Sequence, residues 1–214
     1  MAERTAERGS STVVKAIVVI NVVVFVLWHV LPLQAMGSHF LVSWSQLEGG
    51  RVWTLVTSVF SHNLLFHLFV NMIVLLSFGP PVERLLGSAE FLVFFLVSGV
   101  IASCAHAGLS ASLLGSPEQA ALGASGAIAA VLMFFSLAFP KAKVLLFFVL
   151  PLPAIAAAFL FIGIDLWGLF QQVGANGGWP IGHGAHLGGA ATGIVYYLVR
   201  GRAIRERSPG ELPT

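Results

Sequence analysis

Three polar clusters interrupt the apolar parts of this sequence, and each contains a group that can take part in nucleophilic or acid–base chemistry. Ser125 lies in a Gly-Ala-Ser-Gly run, and His186 is followed directly by Leu-Gly-Gly. The third cluster holds His67 and Asn71, which are four residues apart and therefore share one face of a helix. A serine hydroxyl is a weak nucleophile that needs an adjacent base. The residue types therefore predict Ser125 as nucleophile and His186 as its base.

The same residues suggest how a negatively charged intermediate would be stabilised. Ser125 is expected at the N-terminus of a helix, where backbone N–H groups lack partners within the helix. These donors, with the Asn71 amide and His67, can hold the oxyanion of a tetrahedral intermediate. Asp165 is the only acid well inside an apolar stretch, and we do not expect it to be catalytic. The sequence therefore predicts a Ser–His dyad and not a triad.

The composition indicates that lipid surrounds much of the protein. Of the 214 residues, 57% are hydrophobic and 9% are charged, whereas soluble domains usually carry about 25% charged residues. So few charges cannot cover a surface that faces water. The formal net charge of +2 gives no indication of nucleic-acid binding, and the single cysteine allows no intramolecular disulfide.

Six stretches are long and apolar enough to be transmembrane helices. They are roughly Val13–Leu33, Leu55–Phe78, Phe91–Leu114, Gln119–Phe139, Pro151–Phe170 and His183–Val199. We expect an all-α membrane protein with one six-span domain over residues 13–200 and short cytoplasmic tails over 1–12 and 201–214. The first stretch is interpreted as a retained span. The segment 140–150, bracketed by two prolines, is expected to be a loop or an interfacial segment.

The Lys and Arg residues predict the orientation, because cytoplasmic loops are enriched in them. With the N-terminus inside, Arg51 is the only such residue on the outer side. The cytoplasmic side holds the other ten, namely Arg4, Arg8, Lys15, Arg84, Lys141, Lys143, Arg200, Arg202, Arg205 and Arg207. Spans two, four and six then run inward, so His67/Asn71, Ser125 and His186 should lie at similar depth in the outer half of the membrane.

Small residues predict how two of these spans meet. Gly126 and Ala130, four residues apart, follow Ser125, and Gly189 and Gly193, also four residues apart, follow His186. Such small-xxx-small stripes let membrane helices approach closely. Spans four and six are therefore expected to pack backbone to backbone, as a Ser–His hydrogen bond requires.

In order along the chain, these motifs resemble the rhomboid intramembrane serine proteases. The resemblance covers about residues 13–200 and rests on four segments: His62–Asn71, Phe78–Gly87, Gly123–Gly126 and His186–Gly193. It implies a six-helix core, Ser125 as nucleophile and His186 as general base. It further implies His67, Asn71 and the Ser125 backbone N–H as oxyanion donors, and substrates that are themselves transmembrane helices, cleaved near their outer membrane boundary. No metal and no cofactor are implied.

Two positions depart from the family pattern. Trp53 is followed by Thr54, where family members commonly carry arginine. Ala129 stands where many members have an aromatic residue that stacks on the histidine. Either another group orients the ring of His186, or the ring is less constrained.

Three alternatives remain open at this point. His183 ranks second to His186 as the base and is expected to face a loop. A non-catalytic relative would bind membrane proteins without cutting them, although such proteins lack the serine or the histidine. A metal transporter would use a histidine set, namely His62, His67, His183 and His186, for which zinc fits by ligand type. The protein is expected in a prokaryotic inner membrane, with the site toward the outer face.

Overall fold

The computed structural model describes residues 11–146, 149–174 and 181–207, and these residues are mostly helical. The longer helices are α1 (Thr12–Val30), α5 (Leu65–Leu86), α6 (Ser88–Ser112), α7 (Ser125–Ala138), α8 (Ala154–Val173) and α9 (His183–Arg207). Short helices α2 (Leu33–Phe40), α3 (Trp44–Glu48) and α4 (Thr54–Thr57), followed by a 3₁₀ turn at Ser58–Phe60, connect α1 to α5. Strands β1 (Lys143–Leu146) and β2 (Leu150–Pro153) connect α7 to α8.

Four of these helices are long and apolar enough to cross a membrane, namely α1, α5, α6 and α8. Helix α7 is also apolar but has only 14 residues, and most of its side chains are buried among the other helices. The protein is therefore a multi-pass membrane protein. A helix occupies each of the six predicted stretches, but α5 begins at Leu65 and not at Leu55. The count of six spans and the orientation of the termini stay predictions.

Strands β1 and β2 pair antiparallel in and just after the proline-bracketed segment. Lys143 pairs with Pro153 and Leu146 pairs with Leu150, so among the described residues the two prolines of β2 lie in a two-stranded ribbon. Proline is tolerated there because an edge strand does not need every N–H for pairing. The expected loop is thus a short β-structure between two helices.

Helices α7 and α9 approach each other at backbone distance. A Cβ built on Gly189 would overlap the carbonyl oxygen of Gly126, and one on Gly193 would overlap that of Ala130. The predicted contact between the two small-residue stripes is therefore confirmed. Because Gly126 directly follows Ser125 and Gly189 lies one helical turn after His186, this contact brings the two side chains together.

The first turn of α1 is capped by a side chain from α5. The backbone N–H groups of Val13 and Val14 donate to the two carboxylate oxygens of Glu83, at 3.0 and 2.9 Å. Ser88 donates to the same carboxylate at 2.7 Å. Glu83 is buried, so these three bonds supply the partners that a buried charge requires and fix α1 against the end of α5.

Candidate active site

Ser125 is the first residue of α7, and the backbone before it is shaped by glycine. Gly123 has a φ of 122°, which side-chain-bearing residues rarely adopt. A Cβ on Gly123 would also lie 2.7 Å from Cε1 of His67. This glycine therefore allows the turn that places Ser125 at the helix N-terminus and allows His67 to pack beside it.

The structure brings Ser125 and His186 into hydrogen-bonding contact. Oγ of Ser125 lies 2.9 Å from Nε2 of His186, although the two residues are 61 positions apart in the chain. His186 sits in the first turn of α9, which begins at His183. The pair therefore has the geometry in which an imidazole can accept the hydroxyl proton.

A carboxylate holds the other side of the His186 ring. Oδ1 of Asp165, on α8, lies 3.0 Å from Nδ1 of His186, and Asp165 is 2% exposed. The expectation that no carboxylate reaches the Ser–His pair is wrong, because α8 directs Asp165 inward at the depth of α9's first turn. An ionised carboxylate only accepts hydrogen bonds, so Nδ1 donates and Nε2 is left to accept from Ser125.

The contact with Asp165 also explains how the His186 ring is oriented although residue 129 is an alanine. Besides Asp165, the ring of Phe161 lies near His186, with centroids 5.5 Å apart. Phe161 is one helical turn before Asp165 on α8, so both contacts come from the same face of that helix. Contacts from α8 therefore orient the His186 ring in this protein, whereas the family pattern has an aromatic residue on α7 in that role.

His183 also binds Asp165 and does not face a loop. Its Nδ1 lies 2.6 Å from Oδ1 of Asp165, and the residue is 2% exposed. A Cβ on Gly168 would overlap Nε2 of His183, so this nitrogen lies against α8 and not against Ser125. The structure thus separates the two histidines: both contact the Asp165 carboxylate, but His186 also contacts Ser125.

Asn71 and His67 lie in the wall of the cavity onto which Ser125 and His186 open. This cavity has a volume of about 780 Å³. Nδ2 of Asn71 donates one bond to the carbonyl oxygen of His67 at 2.9 Å, which leaves its second N–H for another acceptor. The predicted oxyanion donors therefore share one cavity with the predicted nucleophile and base.

His62 is buried beside this cavity and packs edge-on against His67, with ring centroids 4.8 Å apart. The four histidines of the metal-transport alternative thus fall into two groups, and in the described chain the second group also contains Asp165. Neighbouring ligands of a tetrahedral Zn²⁺ are about 3.3 Å apart when each lies about 2.0–2.1 Å from the metal. The 2.6 Å contact of His183 with Asp165 is a hydrogen-bond length instead.

Asp165 is the functional candidate that sequence reasoning missed. A signal was present, because an ionisable residue inside a span is costly and is by default a candidate for function. In the predicted orientation it lies in the outer half of the fifth stretch, which matches the depth expected for Ser125 and His186. The rotation of α8, which decides whether Asp165 faces lipid or His186, could not be read from the sequence.

Comparison with known proteins shows the family to which this chain belongs. The family model described as the Rhomboid domain matches residues 49–203. RHOMBOID-like protein 12, mitochondrial, of Arabidopsis thaliana is 33% identical over 86% of this chain and 56% of its own length. Rhomboid protein 1, mitochondrial, of Saccharomyces cerevisiae is 31% identical over 91% of this chain and 55% of its own.

The human presenilin-associated rhomboid-like protein, mitochondrial, is 34% identical over 86% of this chain and 47% of its own length. The chain thus spans about half the length of the curated relatives it matches. The match to the family model covers well over half of the chain and contains every residue of the site described above. This chain is therefore a member of the rhomboid family.

Proposed function

We propose that the protein is an intramembrane serine endopeptidase that hydrolyses peptide bonds in or near transmembrane segments of other proteins. Ser125 is the nucleophile, His186 is the general base, and Asp165 orients His186. The main support for this proposal is the 2.9 Å contact between Oγ of Ser125 and Nε2 of His186. This mechanism replaces the dyad expected from the sequence with a triad.

In the first step, His186 Nε2 takes the Ser125 hydroxyl proton while Oγ forms a bond to the scissile carbonyl carbon. The carbonyl oxygen becomes an oxyanion, which the Ser125 backbone N–H, Asn71 and His67 stabilise. One such donor contributes roughly 2.7–4 kcal/mol of transition-state stabilisation. The positive charge on the His186 ring is balanced by Asp165, to which its Nδ1 donates.

The imidazolium then gives its proton to the leaving nitrogen, the C–N bond breaks, and an ester remains on Ser125. Water attacks this ester with His186 again acting as base, and the acid product and free serine are released. The cavity can admit both reactants because polar groups of His67, Asn71, Ser125 and His186 line it together with apolar side chains.

Substrates would enter between α5 and α8. Val70 and Val74 of α5 and Phe161 of α8 line the cavity, so the space between these helices leads to Ser125. Apolar walls suit a transmembrane segment, which must unwind locally because helical peptide bonds are internally hydrogen-bonded. A transmembrane-helix substrate therefore fits the site better than a soluble peptide.

The membrane that holds the protein is a separate question. All three relatives named above are described as mitochondrial, which does not support the expected prokaryotic inner membrane. Their names favour a mitochondrial membrane instead. Fractionation of cells that express a tagged form of the protein tests this assignment.

Cleavage in liposomes tests the proposed activity. The purified protein is reconstituted with a panel of single-span substrates, and product is measured for wild type, Ser125→Ala, His186→Ala and Ser136→Ala. Ser136 is a matched control because it is a buried serine of the same helix, remote from His186. We expect cleavage by wild type and Ser136→Ala alone.

Two other outcomes decide between the alternatives. Cleavage that survives Ser125→Ala would contradict the serine mechanism. Capture of substrates without cleavage by any form would favour a non-catalytic relative that binds membrane proteins.

A further inference from the structure

We infer that His183 is a positioning residue for the proposed reaction, because it holds the Asp165 carboxylate in the orientation that aligns His186. This inference rests on the proposed function and adds a fourth residue to it. His183 does not touch the reacting atoms; it acts through Asp165.

Both imidazoles converge on a single carboxylate oxygen. Nδ1 of His183 lies 2.6 Å and Nδ1 of His186 lies 3.0 Å from Oδ1 of Asp165. Oδ2 of Asp165 is buried and has no hydrogen-bond partner among the described residues. A buried carboxylate is costly without donors, so the two histidines together supply the stabilisation visible in this part of the chain. Removal of His183 leaves Asp165 with one of these two donors.

The ring of His183 is itself held in place by Gly168, which follows Asp165 by three residues on α8. A Cβ on Gly168 would overlap Nε2, Cε1 and Cδ2 of His183, so the ring packs directly on the glycine backbone. Nε2 is buried without a partner in the described structure, as expected for the unprotonated nitrogen of a ring whose Nδ1 donates. The backbone of Gly168 therefore holds the His183 ring, and His183 in turn holds Asp165.

The positions of His183 and Gly168 predict whether substitutions there change kcat or KM. Neither His183 nor Gly168 lines the cavity that contains Ser125, so we expect substitutions of these residues to leave substrate binding unchanged. Without His183 the carboxylate can rotate, and Nδ1 of His186 loses a fixed acceptor. A displacement of about 1 Å at the reacting groups can cost roughly 10²-fold in rate. We therefore expect kcat to fall while KM changes little.

Two glycine-to-alanine variants on α8 test this inference. Gly168→Ala places a methyl group where the His183 ring lies, whereas a Cβ on Gly163 meets nothing within 4 Å. Both changes replace a helical glycine with alanine, so they share the same effect on helix propensity. In the liposome assay, Gly168→Ala is expected to lower kcat roughly 10²-fold, and Gly163→Ala is expected to match wild type.

Two substitutions of His183 separate positioning from packing. In His183→Asn, the amide nitrogen stands where Nδ1 stands, two bonds beyond Cβ, and can still donate to Asp165. In His183→Leu, bulk is kept and the donor is lost. We expect His183→Asn to retain most of kcat and His183→Leu to lose it. Because asparagine lacks the outer ring atoms, Gly168→Ala should cost little in the His183→Asn background.

The inference is overturned if Gly168→Ala cleaves like Gly163→Ala, or if His183→Asn and His183→Leu lose kcat equally. The second result would assign His183 to packing alone. A wild-type protein that cleaves none of the substrates contradicts the proposed function itself, which distinguishes that failure from a failure of this inference.

Discussion

Asp165 lies on α8, and His186 lies on α9, 21 residues later in the chain. Ser125 and His186 could be predicted from the sequence because each lies in a short motif whose residue types suit its role. Asp165 lies in no such motif, and its role depends on the rotation of α8. The residue that orients the His186 ring is therefore visible in the folded structure but not in the sequence.

Asp165→Asn is expected to lower kcat by roughly 10²–10⁴-fold. An asparagine amide can donate to Nδ1 of His186, which favours the tautomer with a proton on Nε2 and prevents it from accepting from Ser125. The measurement is kcat and KM in liposomes, with a thermal unfolding curve to show that the variant is folded. An unchanged kcat would mean that Asp165 does not orient the base.

Asn71→Ala removes one proposed oxyanion donor and is expected to lower kcat about 10²–10³-fold. Asn21→Ala is the matched control, since Asn21 is also a buried asparagine whose Nδ2 donates to the carbonyl oxygen four residues earlier, at 2.8 Å. Asn21 lies on α1 and does not line the cavity. Equal loss of kcat in both variants would assign Asn71 a structural role only.

At the scale of elements, the contact between α7 and α9 is what places Ser125 beside His186. The sequence predicted this contact because small residues recur every four positions on both helices. It did not predict that α7 would have only 14 residues or that residues 143–146 and 150–153 would pair as antiparallel strands. Apolar composition is similar in a span, a short buried helix and a hairpin, so hydropathy alone does not separate them.

Gly189→Ala tests the α7–α9 contact. The added methyl group would overlap the backbone of Gly126, so the helices must separate and the Ser–His hydrogen bond must lengthen. We expect both a loss of cleavage and a lower unfolding temperature, measured on the same preparation. Gly108→Ala on α6, where a Cβ meets nothing within 4 Å, is expected to retain both. Full activity of Gly189→Ala would show that the contact is looser than described.

The distribution of Lys and Arg over the chain predicts that both termini lie on the same side of the membrane, opposite Arg51. Arg51 and Lys141 are exposed and lie on opposite predicted sides. Family membership and the helical core follow from the sequence and are confirmed, whereas the number of spans and their orientation depend on where the bilayer lies. Labelling of single residues shows on which side of the bilayer each of them lies.

Cysteine labelling tests the orientation. Cys104 is the only cysteine, so a Cys104→Ser background can carry either Arg51→Cys or Lys141→Cys. A membrane-impermeant maleimide applied to sealed vesicles of known orientation is expected to react with Arg51→Cys from the outer side. Lys141→Cys is expected to react only after permeabilisation. The reverse pattern would invert the topology and place the active site toward the inner face.

Activation of Ser125 by His186 can be tested by mass mapping of a fluorophosphonate adduct. We expect one adduct, on the peptide that contains Ser125, which forms with wild type and is lost in His186→Ala. An adduct confined to another serine, or one that forms equally fast in His186→Ala, would show that His186 does not activate Ser125.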